Sequence, residues 1–204
     1  MNFLAHSFLS GQNKKIITGN FIADWVKGKK VNSFPEDIKK GITIHRSIDS
    51  YTDSHLITKK SKQLLVNDYQ KYSGVIIDIF YDHFLANNWS AYSDISLSEF
   101  SRNVYLSLVK HYKFLPATVK FFLPNLIATD RLGSYAKISG IQKAIEIMAR
   151  RTSLPDQTNK AMKILNENYP ELQQDFSEFF IDITDYVIKE HNIPLIKYHK
   201  PKKN

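Results

Sequence analysis

Two aspartates and a histidine lie inside the most apolar segment of this chain, residues 73–89, SGVIIDIFYDHFLANNW. Asp78 and Asp82 are four residues apart, so on an α-helix they share one face, and His83 is turned from Asp82 by about 100°. Apolar side chains point in nearly every other direction, so most of this helix is expected to be buried. An unpaired carboxylate there would cost several kcal/mol. The segment therefore predicts a divalent metal site or a catalytic polar pocket, unless Lys or Arg from elsewhere in the core pairs with the acids.

A second group of ionisable residues precedes this segment. His45, Asp49 and Asp53 recur at four-residue spacing and form one polar stripe on a helix, although His45 and Asp49 alone could be an ordinary intrahelical pair. Asp24 lies in the apolar context FIADWV, and His6 lies in FLAHSFL. Mixed imidazole and carboxylate ligands suit manganese, iron or zinc, and a set rich in carboxylates favours manganese or magnesium.

Basic residues are the candidates for binding phosphate. Lys27 follows Asp24 closely, Arg46 is next to His45, and Arg150 and Arg151 end a predicted helix. Arg suits phosphate geometrically. The alternative is that these basic residues form a solvated surface, and the three lysines among residues 27–30 favour that interpretation. Neither a Walker motif nor GxGxxG nor GxSxG occurs in the sequence.

The elements that must position these residues are predicted to be helices. The chain has 204 residues with only seven Gly and seven Pro, and apolar residues repeat with the helical period. We expect an all-α, single-domain helical bundle over residues 1–191, followed by a basic, mobile tail over residues 192–204. Ser96 and Glu99 are spaced as a capping box at the start of one helix.

Charge and composition restrict the partners. The formal net charge is +8, so an anionic partner is expected. The absence of cysteine excludes disulfides and a thiol nucleophile. MNFLAHSFLSG has no basic leader region and no stretch approaches 18 consecutive apolar residues, so we expect a cytoplasmic protein without a membrane partner. No nucleic-acid motif is present, and the oligomeric state is left open.

Four stretches of the first 90 residues, in order, closely resemble the acyl carrier protein phosphodiesterases. They are MNFLAH at the start, GNFIADWVKG, the GI-x-x-HR-x-ID-x-x-TD-x-H stretch over residues 41–55, and the apolar segment over residues 73–89. The second half of the chain resembles this family more loosely, in its helical pattern and its arginine pair.

The resemblance implies a reaction and a cofactor. The family hydrolyses the phosphodiester that joins 4′-phosphopantetheine to a serine of holo-acyl carrier protein, a strongly acidic partner, and it depends on manganese, with Mg²⁺ or Fe²⁺ as further possibilities. It looks like a distant, all-helical relative of the HD-domain phosphohydrolases, in which a His-Asp doublet binds metal. This chain has the reversed order, Asp82-His83, and no forward doublet.

The resemblance also implies roles for these residues. The expected metal ligands are His45, Asp24, Asp78 and Asp82, followed by His83 and His6. Asp24 or Asp78 would orient or deprotonate the attacking water, and a protonated His83 or His45 would supply the leaving serine oxygen with a proton. Arg46 and Lys27 would offset phosphoryl charge, with Arg150 and Arg151 as further substrate contacts.

Two other functions fit the same residues. One is a metal phosphohydrolase of a nucleotide or small phosphodiester, which needs no protein docking surface. The other is a non-catalytic basic helical adaptor that binds acidic proteins. The adaptor would need no metal, so the buried acids argue against it.

Overall fold

The computed structural model describes residues 2–195. Within that range it contains twelve α-helices, five short 3-10 turns and no β-strand, so the all-α prediction is confirmed. The α-helices are α1 (Phe3–Phe8), α2 (Lys14–Ile22), α3 (Glu36–Ser54), α4 (Leu56–Gln63), α5 (Val66–Tyr69), α6 (Ser73–Asn87), α7 (Leu97–Lys110), α8 (Ala117–Ala128), α9 (Arg131–Ser134), α10 (Ile138–Arg151), α11 (Thr158–Glu167) and α12 (Tyr169–His191). The 3-10 turns cover Ala23–Trp25, Gly28–Ser33, Gln70–Tyr72, Trp89–Ala91 and Tyr112–Phe114.

Helix α6 is the central element, as its apolar circumference predicts. It packs against α1, α4, α10 and α12. Ile77, Phe80 and Phe84 on α6 are completely buried. One hydrophobic core extends from α1 to α12 and includes Ile193, which lies in the first residues of the predicted tail. Residues 196–204 of that tail lie outside the described residues.

Helices α2 and α3 cross with their backbones nearly in contact because each has a glycine at the crossing. A Cβ atom on Gly19 would lie 2.1 Å from the carbonyl oxygen of Ile38, and one on Gly41 would lie 2.2 Å from that of Ile16. Any other residue would force the helices apart. This close crossing brings the end of α2 against the middle of α3, where His45 lies.

The segment around Asp24 is not one continuous helix. It is divided into α2 and the 3-10 turn that carries Asp24. Ser96 caps α7 as its spacing predicts, because its Oγ accepts a hydrogen bond of 3.1 Å from the Glu99 amide. Among residues 2–195, none of the helices combines the length and the apolar character needed to cross a bilayer.

Candidate metal centre and active site

Three side chains place their ligand atoms together. His6, His45 and Asp49 each offer one atom, and these atoms lie within 4.8 Å of one another. Asp49 stands between the imidazoles, with Oδ1 3.1 Å from Nε2 of His6 and Oδ2 3.2 Å from Nε2 of His45. The two imidazole rings are stacked, with centroids 4.0 Å apart. We call these three residues the triad.

Two helices and the side-chain amide of Asn20 position the triad. His45 and Asp49 lie one turn apart on α3, so they share a face, and His6 comes from α1. The amide oxygen Oδ1 of Asn20 on α2 is 3.0 Å from Nδ1 of His45. Since that oxygen can only accept, Nδ1 carries the proton and donates it. The contact therefore directs Nε2 of His45 towards the carboxylates, as metal-binding histidines are commonly oriented.

Asp24 approaches the triad from the 3-10 turn after α2. Its Oδ1 is 3.2 Å from Nε2 of His45, and 62% of its side chain is exposed. Asp24 therefore contacts the buried His45 imidazole while the rest of its side chain faces solvent.

The charges of the site are strongly coupled. Burial lowers the pKa of His45, but its hydrogen bonds to Asp24 and Asp49 outweigh that effect and raise the pKa to about 9. Burial and the neighbouring His45 charge lower the pKa of His6 to about 4. Burial opposes ionisation of Asp49, yet the two histidines lower its pKa well below the usual range. The hydrogen bond to His45 also lowers the pKa of Asp24. At neutral pH the site therefore holds two carboxylates, one imidazolium and one neutral imidazole.

His6 provides a test of whether a cation fits this site. Both of its ring nitrogens are buried without a hydrogen bond among the described residues. Its Nε2 approaches Asp49 to 3.1 Å but lacks the alignment of a hydrogen bond. A buried polar atom left in this way is costly. A cation between His6, His45 and Asp49 would satisfy that nitrogen, and the mixed nitrogen and oxygen donors suit a divalent transition metal.

The triad opens into a cavity of about 610 Å³. His45, Asp49 and Asp24 line one part of it, and Asp78 lines its wall from α6. Burial raises the pKa of Asp78. The hydroxyl of Thr52, which also lines the cavity, is buried with no hydrogen-bond partner within the described part of the chain.

Lysines from α4 and the turn before α6 line the same cavity. They are Lys59, Lys62 and Lys71. Nζ of Lys62 is 2.6 Å from Oδ1 of Asp53, which fixes this lysine at the cavity wall. The cavity therefore offers positive charge beside a carboxylate and imidazole cluster.

The structure places Asp82 and His83 away from this cavity lining. Asp82 is completely buried, and its oxygens accept hydrogen bonds of 2.8 and 3.0 Å from the amides of Leu4 and Ala5. It therefore holds the N-terminal turn of α1, the helix that carries His6. Nδ1 of His83 is 2.8 Å from the carbonyl oxygen of Tyr135. Nε2 of His83 is 2.9 Å from the hydroxyl of Tyr169.

The basic residues proposed from sequence also lie outside the cavity lining. Nη2 of Arg46 donates a 2.9 Å hydrogen bond to the carbonyl of Val26, which fixes the segment that follows Asp24. Lys27 is exposed beside the 3-10 turn Gly28–Ser33, and Arg150 and Arg151 are exposed at the end of α10.

Asp49 was not among the metal ligands expected from the sequence, and Asn20, Thr52 and the cavity lysines were not among the expected site residues. The His45-x-x-x-Asp49 spacing is a signal that could have identified Asp49. Asn20 and Thr52 carry no comparable pattern, because their importance comes from the helix crossing and from burial.

Comparisons with known proteins agree with the motifs. The sequence model of a family described as acyl carrier protein phosphodiesterase matches residues 1–183. A protein of that name from Escherichia coli O6:K15:H31 is 31% identical over 184 residues, which cover 88% of this chain and 94% of the relative. One from Yersinia pestis is 28% identical over 181 residues, with the same coverage of 88% and 94%. No solved structure matches the chain, so likeness to HD domains stays a prediction.

Proposed function

This chain belongs to the acyl carrier protein phosphodiesterase family, and we propose that it hydrolyses the phosphodiester between 4′-phosphopantetheine and the serine of holo-acyl carrier protein. The products are apo-acyl carrier protein and 4′-phosphopantetheine. The observation that carries this proposal within the structure is the triad, which adjoins an open cavity lined by lysines. Such a site combines ligands for a cation with room for a charged organic group.

The proposed cofactor is Mn²⁺, held by His6, His45 and Asp49 with Asp24 adjacent. The mixed donor set and the unsatisfied His6 nitrogens support it. A divalent cation bound there would supply positive charge that polarises the phosphodiester and lowers the pKa of water. Asn20 keeps Nε2 of His45 available, because it takes the hydrogen bond from the other ring nitrogen.

Two carboxyl groups supply the proposed proton transfers. Asp24 has an exposed and ionised carboxylate at the cavity, so it would accept the proton of the attacking water. Water oxygen forms the new bond to phosphorus, and the bond from phosphorus to the serine oxygen breaks. Burial raises the pKa of Asp78, whereas the pKa of Asp24 is lowered, so Asp78 is the better proton donor of the two and would give a proton to the leaving serine oxygen. We prefer Asp78 to His83 for that role, because Asp78 lines the cavity and His83 does not.

The remaining cavity wall suits the phosphopantetheine arm. Gln63 and Gln70 offer amides, while Val66 and Met148 offer apolar surface. A pantetheine chain carries amide and hydroxyl groups on an aliphatic backbone, so it needs both kinds of contact. Lys62 pairs with Asp53, which follows Asp49 by one turn on α3, so Lys62 would contact the phosphate end of the arm.

Asp49 allows a matched test, because Asp37 lies on the same helix with almost the same exposure, 45% against 43%. We expect Asp49→Ala to lower kcat/KM for holo-acyl carrier protein by at least about 100-fold, beyond the loss typical of a residue that only supports a ligand. Asp37→Ala is expected to change it by less than about twofold, as for surface substitutions in general. Both variants are compared with wild type by intact-mass assay of the carrier protein. Equal kcat/KM values for the two variants would show that Asp49 is not part of the active site.

A further inference from the structure

We infer that one exposed face, formed by residues 25–34 and 112–122, is the docking surface for the acidic carrier protein. We call it the basic–aromatic face. This inference rests on the proposed function and adds to it the place where the macromolecular substrate binds.

The positive charge of the chain is concentrated in the two segments that build this face. Residues 25–34 contain three lysines and residues 112–122 contain two, and neither segment contains Asp or Glu. Together they hold five of the 28 basic residues and none of the 20 acidic ones, which leaves 23 against 20 elsewhere. These two segments therefore supply five of the eight net positive charges. Their unopposed positive charge would attract an acidic partner.

Aromatic contacts join the two segments into one surface. The ring of Trp25 packs 5.5 Å from that of Phe122 on α8. The ring of Phe34 lies 6.4 Å from that of Phe114. Nζ of Lys113 lies 5.0 Å from the centroid of the Phe114 ring. The segments are thus neighbours in space although about 80 positions separate them in the sequence.

Exposed apolar side chains lie among these lysines. Phe121 is 82% exposed, and Tyr112 is 49% exposed with Nζ of Lys120 5.0 Å from its ring centroid. A phenylalanine exposed to this extent gains from burial, about 25 cal/mol for each Å² removed from water. Aromatic side chains are enriched at protein interfaces, and the lysines around these rings add attraction for an acidic partner.

The position of the face fits the reaction. Trp25 directly follows Asp24, whose carboxylate contacts His45. The face therefore borders the triad, while the cavity continues from the triad to the wall formed by α4, α5 and α6. A carrier protein docked on this face would present its serine at Asp24 and its phosphopantetheine arm to the cavity.

The test compares two charge-reversal variants of equal charge. Lys113→Glu/Lys120→Glu changes the basic–aromatic face, and Lys143→Glu/Lys189→Glu changes exposed lysines on α10 and α12. We expect the first to raise KM for holo-acyl carrier protein on the order of tenfold, with a weaker salt dependence, and the second to leave KM within about twofold. Binding of apo-acyl carrier protein, which lacks the arm, should weaken in parallel. Thermal melting shows that each variant is folded.

The outcomes separate this inference from the proposed function. If wild type cleaves holo-acyl carrier protein but the two variants have the same KM, the docking role of the basic–aromatic face is refuted and the proposed function is unaffected. If wild type binds apo-acyl carrier protein through the face but cleaves nothing, the proposed function fails and the docking surface stands. If Lys113→Glu/Lys120→Glu instead dissociates a dimer of this chain and leaves carrier-protein binding unchanged, the face is a self-interface and the inference is wrong.

Discussion

Asp82 is expected to act by holding the helix that carries His6. Helix α1 has six residues, too few to be stable without help from neighbouring elements. The amides of Leu4 and Ala5 in its first turn donate to the Asp82 carboxylate at 2.8 and 3.0 Å, and both bonds are buried. Asp82→Ala would leave both amides without an acceptor.

The size of the effect follows from these two bonds. A buried donor left unsatisfied costs about 1–3 kcal/mol, so Asp82→Ala should lower the free energy of unfolding by about 2–6 kcal/mol. Asp82→Asn keeps one acceptor oxygen and should lose about half of that. In a domain of this size, 1 kcal/mol corresponds to about 2–4 °C in Tm. Thermal unfolding of wild type and both variants at about pH 5, where the folded chain still holds the Asp82 proton, measures the difference.

The pH dependence gives an independent check. Burial raises the pKa of Asp82 to about 7, against the opposing effect of the two amides. Since the folded chain then binds this proton more tightly than the unfolded chain, the contribution of Asp82 to stability falls as pH rises from about 4 to about 7. The difference in stability between wild type and Asp82→Asn should follow that fall.

Metal stoichiometry in folded Asp82→Ala should remain that of wild type, with weaker affinity because His6 is less well held. Equal melting temperatures, or a folded variant that binds no metal, would refute the reasoning.

Three further predictions follow from the same contacts. Gly41→Ala places a Cβ atom 2.2 Å from the Ile16 carbonyl, so we expect at least about 1–3 kcal/mol of lost stability in chemical denaturation, together with weaker metal binding; unchanged stability would contradict the close helix crossing. Metal binding at about pH 7.5 should release about one proton, because His45 has a pKa of about 9 and must lose its proton to bind; calorimetry in buffers of different ionisation enthalpy measures this, and no release would exclude His45 as a ligand. His83→Gln should lower Tm but keep kcat within a few-fold of wild type, since His83 bonds the Tyr135 carbonyl; loss of activity in a folded variant would return His83 to the catalytic residues.

Local patterns were sufficient for much of the fold. The apolar circumference of α6 and the Ser96 cap of α7 depend on neighbours within a few residues, so the sequence predicts them directly. The polar stripe that contains His45 and Asp49 is local in the same way. The short helices α5 and α9 have four residues each and carry too little periodicity to be recognised.

Contacts between distant segments could not be predicted from such patterns. The burial of Asp82 was foreseen, but its partners are amides 77 and 78 residues away, which a sequence pattern does not identify. The amides at the start of α1 offset the free-energy cost of burying that carboxylate, whereas a metal ion was expected to do so. Likewise, the approach of His6 to Asp49 depends on how α1 docks against α3. The lysines that line the cavity are indistinguishable in sequence from others on the surface.

The most direct measurement uses metal-stripped protein and holo-acyl carrier protein, with and without Mn²⁺, and follows the intact mass of the carrier protein. We predict a Mn²⁺-dependent loss of the 4′-phosphopantetheine mass with wild type, and its absence with Asp49→Ala under the same conditions. Unchanged holo-acyl carrier protein, from folded wild type with Mn²⁺ bound, would contradict the proposed reaction. Equal cleavage with and without the metal would contradict the role assigned to the triad.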